Sequence, residues 1–176
     1  VDLWVFGYGS LVWRPAFPYV ERQPATLAGY RRRFWQGSPD HRGTVEQPGR
    51  VVTLLEGQAD DRVVGMAYRV ARTDVEGVVA RLDHREKAGY ATIHVPLALF
   101  DGRTVSASVY VAGPGNPCFL GPAPLGAMAD QIARCAGPSG RNVDYLLELH
   151  EALVALGAPD PHVLALVEAV GDRARG

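Results

Sequence analysis

The spacing of apolar and polar positions changes character near residue 112. Before that point the apolar residues fall in short runs of β-branched and aromatic side chains. After it they recur at helical spacing. Leu3-Trp4-Val5-Phe6 is an apolar run ending in Gly7-Tyr8-Gly9-Ser10, the pattern of a buried strand running into a tight turn. Residues 29–36, 50–56 and 63–70 predict further strands. Residues 91–100 and 104–112 flank Asp101-Gly102, a hairpin turn signal. One helix lies among these strands. Thr73-x-x-Glu76 reads as a capping box, and Val75, Val78, Val79 and Leu82 follow at i, i+3, i+4 and i+7.

Two Gly- and Pro-rich loops, 113–117 and 121–124, then precede three predicted helices. The first, 125–136, carries Leu125, Met128, Ala129 and Ile132 on one face and stops at Gly137-Pro138. The second, 142–156, has Asn142 as N-cap, the stripe Tyr145, Leu149, Leu153 and Leu156, and Gly157 as its stop. The third starts with Asp160 as N-cap and Pro161 at the first helical position, then carries Val163, Leu166, Val167 and Val170. Short connections and the lack of repeats predict one domain over residues 1–176. Its class is α+β: a small, mostly antiparallel β-barrel with surrounding helices.

Composition narrows the function. The 18 Lys and Arg against 19 Asp and Glu leave a net charge of −1, which argues against a nucleic-acid or anionic-membrane partner. No apolar stretch approaches the roughly 18 residues of a membrane span, and no cationic segment followed by an apolar run opens the chain. Cys118 and Cys135 are too few for a disulfide framework, so a cytoplasmic protein is expected. The histidines at 41, 84, 94, 150 and 162 show no metal-ligand spacing, and no metal is expected. Arg31-Arg32-Arg33 lies within a predicted strand, where alternation sends Arg32 to the face opposite its neighbours. A solvated strand face accounts for this run better than a nucleic-acid site.

Glu86 is the most informative single residue. It follows Leu82 by four positions, on the apolar side of its helix, where a carboxylate is costly unless paired or protonated. Burial would raise its pKa toward the range of general acid–base work. A helix that frays near Arg85, leaving Glu86 to pair with Arg85 or Lys87, fits the same spacing. The turn Phe6-Gly7-Tyr8-Gly9-Ser10-Leu11 lets a ligand approach its backbone, whose N–H groups suit a carboxylate or a developing oxyanion. A plain chain reversal needs the same glycines. Val12 stands where a dinucleotide fingerprint has its last glycine, and no phosphate-loop lysine follows. Ser10 as a nucleophile, with Asp40-His41 as orienter and base, is an amidase alternative that lacks the Gly-x-Ser-x-Gly elbow. Residues 137–142 form a helix start, beside which Tyr145 faces either a ligand or the core.

Taken together and in order, the blocks Trp4–Trp13, Arg32–Ser38, Asp40–Gly43, Pro48–Leu54, Arg85–Tyr90, Tyr110–Ala112, Gly121–Leu125 and Gly137–Asn142 closely resemble the ChaC-like γ-glutamylcyclotransferases. The resemblance runs from about Leu3 to Leu156. It implies a cyclotransferase barrel that cleaves glutathione to 5-oxoproline and cysteinylglycine without metal or organic cofactor. It implies that the backbone of Val5, Phe6, Gly7, Tyr8, Gly9, Ser10 and Leu11 holds the γ-glutamyl group and that Glu86 is the catalytic acid/base. Tyr145 is a further expected substrate contact, while Arg42 and Arg50 are candidates for a substrate carboxylate. One departure is Ala88-Gly89, where the family often has Gly-Gly before the tyrosine; the extra methyl bears on substrate preference. Other γ-glutamyl substrates, or a non-catalytic module that holds γ-glutamyl compounds, are the alternatives nearest to this reading.

Overall fold

A computed structural model describes residues 1–85 and 90–175. Glu86 and the Ala88-Gly89 pair therefore lie outside the described residues. Strands β1 (Leu3–Gly7), β2 (Glu21–Ala28), β3 (Tyr30–Ser38), β4 (Gly49–Glu56) and β5 (Arg62–Val70) precede helix α1 (Val75–Arg85). The hairpin β6 (Tyr90–Leu99) and β7 (Thr104–Ala112) follows, turning through Asp101-Gly102. Helix α2 (Leu125–Arg134), the short strands β8 (Ala136–Gly137) and β9 (Gly140–Arg141), α3 (Asn142–Ala155) and α4 (Pro161–Arg175) complete the order. The α+β expectation holds, and the barrel is closed.

The chain divides into two compact units. Val1–Arg31 with Leu54–Pro117 form the first, and Arg32–Thr53 with Cys118–Gly176 the second. In the first, the strands close in the order β1-β5-β2-β6-β7. Every neighbouring pair is antiparallel except β1 and β7, whose parallel contact at Val5 and Ser108 seals the barrel. Alternation fills the interior: Val5, Ala25, Leu27, Ala67, Leu97 and Val109 are almost wholly buried. Val78 and Leu82 of α1 are buried too.

Strand β2 has no counterpart among the predicted strands. Arg22, Gln23 and Pro24 blur its alternation, yet it pairs with β5 along its whole length. Its pairing with β6 is confined to Ala25 and Thr26. Pro24, which has no N–H to give, lies just outside that stretch, and its carbonyl accepts from the N–H of Phe100 at 2.9 Å. Helix α1 also starts differently from the capping-box reading. Thr73 sits inside a single 3₁₀ turn, Arg72–Asp74, which runs straight into Val75.

In the second unit, α2 packs on α4 and α3 packs on both. Ile132, Leu146, Leu149, Leu153, Val163 and Leu166 are wholly buried. Helix α2 stops two residues short of its predicted end: Cys135 is extended, and Ala136 and Gly137 leave the helix to pair with β9 as a minimal hairpin. Leu125 is exposed instead of joining the apolar face.

Two polar residues depart further from expectation. Asn142 is the first helical residue of α3 and not its N-cap, and it is fully buried. Its Oδ1 accepts from the Arg50 N–H at 2.8 Å and its Nδ2 donates to the Arg50 carbonyl at 2.8 Å, so its amide completes the backbone pairing of β4. Arg32 is buried, not solvated. Alternation does turn it away from Arg31 and Arg33, but the face it reaches is interior, where its Nη1 meets Asp160 Oδ2 at 2.9 Å. Asp160 also performs its predicted duty, accepting from the N–H groups of His162 and Val163 as the N-cap of α4. No described helix is long and apolar enough to cross a membrane.

Candidate active site

The segment Val5–Leu11 lies in the barrel unit, where β1 ends and a 3₁₀ turn, Ser10–Val12, begins. Val5, Phe6, Gly7, Tyr8 and Leu11 are buried, whereas Gly9 and Ser10 are half-buried. The turn closes on itself through Val12 N–H to the Gly9 carbonyl at 2.9 Å and Arg14 N–H to the Ser10 carbonyl at 2.8 Å. Gly7 is required here by crowding. A Cβ on it would stand 2.6 Å from Leu11 Cβ, so the chain can fold back on itself only over a bare backbone.

Three residues of other strands hold this segment. Tyr68 of β5, fully buried, donates its hydroxyl to the Leu11 carbonyl at 2.6 Å and approaches the Val12 carbonyl at 3.3 Å. Burial pushes its pKa up to about 12, so the phenol keeps its proton, and remains a donor, at any neutral pH. Tyr8 donates to the Tyr110 carbonyl of β7 at 2.6 Å. Gly65 of β5 lies against the carbonyl oxygen of Gly7 and the ring of Phe6, with no room for a Cβ. Tyr110 opens one of the motif blocks, which gives it no role of its own, and the sequence reading assigns Tyr68 and Gly65 no part in the site. Gly65 did carry a usable signal, since a glycine within a strand pattern marks close backbone approach. Tyr68 carried none, because nothing local announces a contact with a turn so far back in the chain.

The remaining candidates lie in the second unit. Tyr145 of α3 is buried; its hydroxyl accepts from the Val52 N–H at 3.3 Å, and its ring meets Phe34 edge-on at a centroid distance of 5.8 Å. The Arg42 guanidinium lies over the same ring at 5.6 Å and donates to the Arg141 carbonyl at 3.2 Å. Arg50 acts as a brace. Its Nε donates to Gln131 at 2.6 Å and its Nη1 to the Phe34 carbonyl at 2.9 Å. His41 shows no triad-like geometry. Its Nδ1 engages Ser139 at 3.1 Å and Asp40 stands 3.9 Å from Nε2, the nitrogen a serine's base must keep open, with both side chains more than half exposed.

The end of β1 thus runs into a largely buried backbone turn, pinned from β5 and β7. The family model for ChaC-like proteins matches residues 3–173. The chain belongs to the ChaC-like family. Among its ChaC-like relatives, a human protein named glutathione-specific γ-glutamylcyclotransferase 1 is 46% identical, the match covering 96% of this chain and 78% of that one. The Escherichia coli glutathione-specific γ-glutamylcyclotransferase is 38% identical over 90% of this chain and 68% of its own. The crystal structure of the yeast γ-glutamylcyclotransferase specific to glutathione superposes with a TM-score of 0.92 at 31% identity, covering 97% of this chain and 96% of that one. The cyclotransferase barrel expected from the sequence blocks is therefore the ChaC-like fold found here.

Proposed function

We infer that this protein is a glutathione-specific γ-glutamylcyclotransferase, a carbon–nitrogen lyase that converts glutathione to 5-oxoproline and cysteinylglycine. The observation that carries this reading is its 46% identity, over 96% of the chain, to a relative named for that activity. A match running from residue 3 to residue 173 also supports one functional domain. Reduced glutathione is a cytosolic thiol, so the reading puts the enzyme in the cytoplasm.

The chemistry asks little of the protein beyond orientation and proton transfer. The α-amine of the γ-glutamyl unit attacks its own γ-carbonyl carbon, forming the lactam C–N bond, and the bond from that carbon to the cysteinyl nitrogen breaks. The nucleophile is tethered within the substrate, so holding a bent conformer supplies much of the acceleration. The amine starts as an ammonium. Glu86 accepts the proton that frees the amine's lone pair and delivers it to the departing nitrogen; the second proton, shed as the lactam N–H forms, ends on the product amine, which is released as an ammonium. The Val5–Leu11 backbone grips the γ-glutamyl group, with N–H groups of the Tyr8–Leu11 turn stabilising the oxyanion, and Tyr145 is a further substrate contact. The order of the Tyr8–Leu11 turn, held by Tyr68, supports that role.

The test is glutathione turnover by the wild type and Glu86→Gln, with products identified by mass spectrometry. 5-Oxoproline and cysteinylglycine from the wild type, with turnover collapsing in Glu86→Gln, are expected. Retained turnover in Glu86→Gln removes that residue from the mechanism. 5-Oxoproline from γ-glutamyl amino acids but not from glutathione overturns the substrate, and free glutamate that disappears in Ser10→Ala would favour the amidase.

A further inference from the structure

Tyr110 touches two pieces of the barrel unit through two different groups. Its backbone carbonyl, on β7, accepts the Tyr8 hydroxyl at 2.6 Å and so anchors the candidate substrate turn. Its own hydroxyl donates to Asp83 Oδ1 at 3.0 Å. Asp83 stands in the last turn of α1, two residues before that helix ends at Arg85 and three positions before Glu86. β7 thus ties the substrate turn on one side and the helix leading to the acid/base on the other. The β6–β7 pairing continues through Tyr110, opposite Thr92, so the residue making both contacts is itself held in a ladder.

We propose that Tyr110 and Asp83 are positioning residues for the proton-transfer step, their hydrogen bond fixing the C-terminal turn of α1 against β7. The inference rests on Glu86 being the acid/base. Neither residue exchanges a proton with substrate; they hold the turn of α1 that precedes Glu86 in the chain. An exposed hydrogen bond such as this contributes little to global stability, but proton transfer between heavy atoms is steeply sensitive to placement, so the pair is expected to matter more for rate than for folding.

Tyr110→Phe removes the hydroxyl and leaves the carbonyl that Tyr8 uses. Asp83→Ala removes the acceptor, and Asp83→Asn keeps an oxygen there. Glutathione kinetics and melting temperatures of the three variants and of Tyr110→Phe/Asp83→Ala test the pair. Tyr110→Phe and Asp83→Ala are each expected to lower kcat about tenfold with KM within about twofold. The double variant should be no worse than either single one, since both remove the same contact, and Asp83→Asn should restore most of the loss. A kcat unchanged in the single variants overturns the proposal, as do multiplying losses in the double variant or an Asp83→Asn as slow as Asp83→Ala. A purely structural role would lower the melting temperature and leave kcat per folded enzyme intact. If the wild type makes no 5-oxoproline, the underlying functional reading fails; if it does and these variants match it, only the positioning role fails.

Discussion

The hydroxyl of Tyr68 reaches back 57 residues to donate a 2.6 Å hydrogen bond to the carbonyl of Leu11, and in doing so β5 fixes the turn that follows β1. This is a long-range side-chain bond standing in for the backbone pairing that stopped at Gly7, where β1 ends opposite Met66. Tyr68→Phe keeps the ring, including its edge-on contact with Phe17, and leaves a buried carbonyl short of its donor. A loss of about 1–2 kcal/mol in urea unfolding is expected. KM for glutathione should rise while kcat changes less, because the turn binds substrate in this reading; an unchanged KM would separate the turn from binding.

Gly65→Ala tests the same seam from β5. An added methyl meets the Gly7 carbonyl oxygen and the Phe6 ring, both belonging to buried residues with little freedom to yield. Overpacking of this kind costs about 1–3 kcal/mol. The expected result is a lower melting temperature together with weakened glutathione turnover. Ala at the exposed Gly77 of α1, where nothing lies within 4 Å of the added carbon, should leave the melting temperature unchanged or raise it slightly.

Asp160 both caps α4 and neutralises Arg32, whose side chain is 1% exposed. Removing it by Asp160→Ala takes a carboxylate partner from a buried guanidinium and uncaps the helix, for an expected loss of about 3–5 kcal/mol. Asp160→Asn keeps a capping oxygen, and it should cost measurably less than Ala. Equal losses for the two variants would assign the whole effect to the charge.

His162 gives the fold an acid-sensitive point. Its Nε2 accepts from the Phe34 N–H at 3.0 Å, which requires the neutral ring. Burial, aided by Arg33, lowers its pKa to about 4 from the ordinary 6.5. The unfolded chain therefore binds this proton more readily than the folded one between those two values. The stability the neutral ring confers is complete above about pH 6.5 and declines as pH falls toward 4, by about 2–3 kcal/mol in all. Comparing urea midpoints at pH 7 and pH 4.5, His162→Gln, which cannot titrate, should show a smaller fall than the wild type. An equal fall would place the acid sensitivity elsewhere.

Much of this protein was legible in the sequence because its signals are local. Short runs of apolar, β-branched and aromatic residues marked β1, β3, β4, β5, β6 and β7, Asp101-Gly102 marked the hairpin, and Asp160-Pro161 marked the start of α4, since residue type, turn chemistry and capping depend on residues close in the chain. The ordered motif blocks likewise carried the family. What only the tertiary structure decided are contacts between residues far apart in the chain. Arg32 is buried because Asp160 comes to it, Asn142 leaves the capping position because the Arg50 backbone needs its amide, and the Tyr8–Leu11 turn is ordered because Tyr68 and Tyr110 reach it. Strand β2, with its broken alternation, forms because β5 offers it a full-length partner. Periodicity reports which face of an element turns inward; which residue waits there is set by how the elements pack.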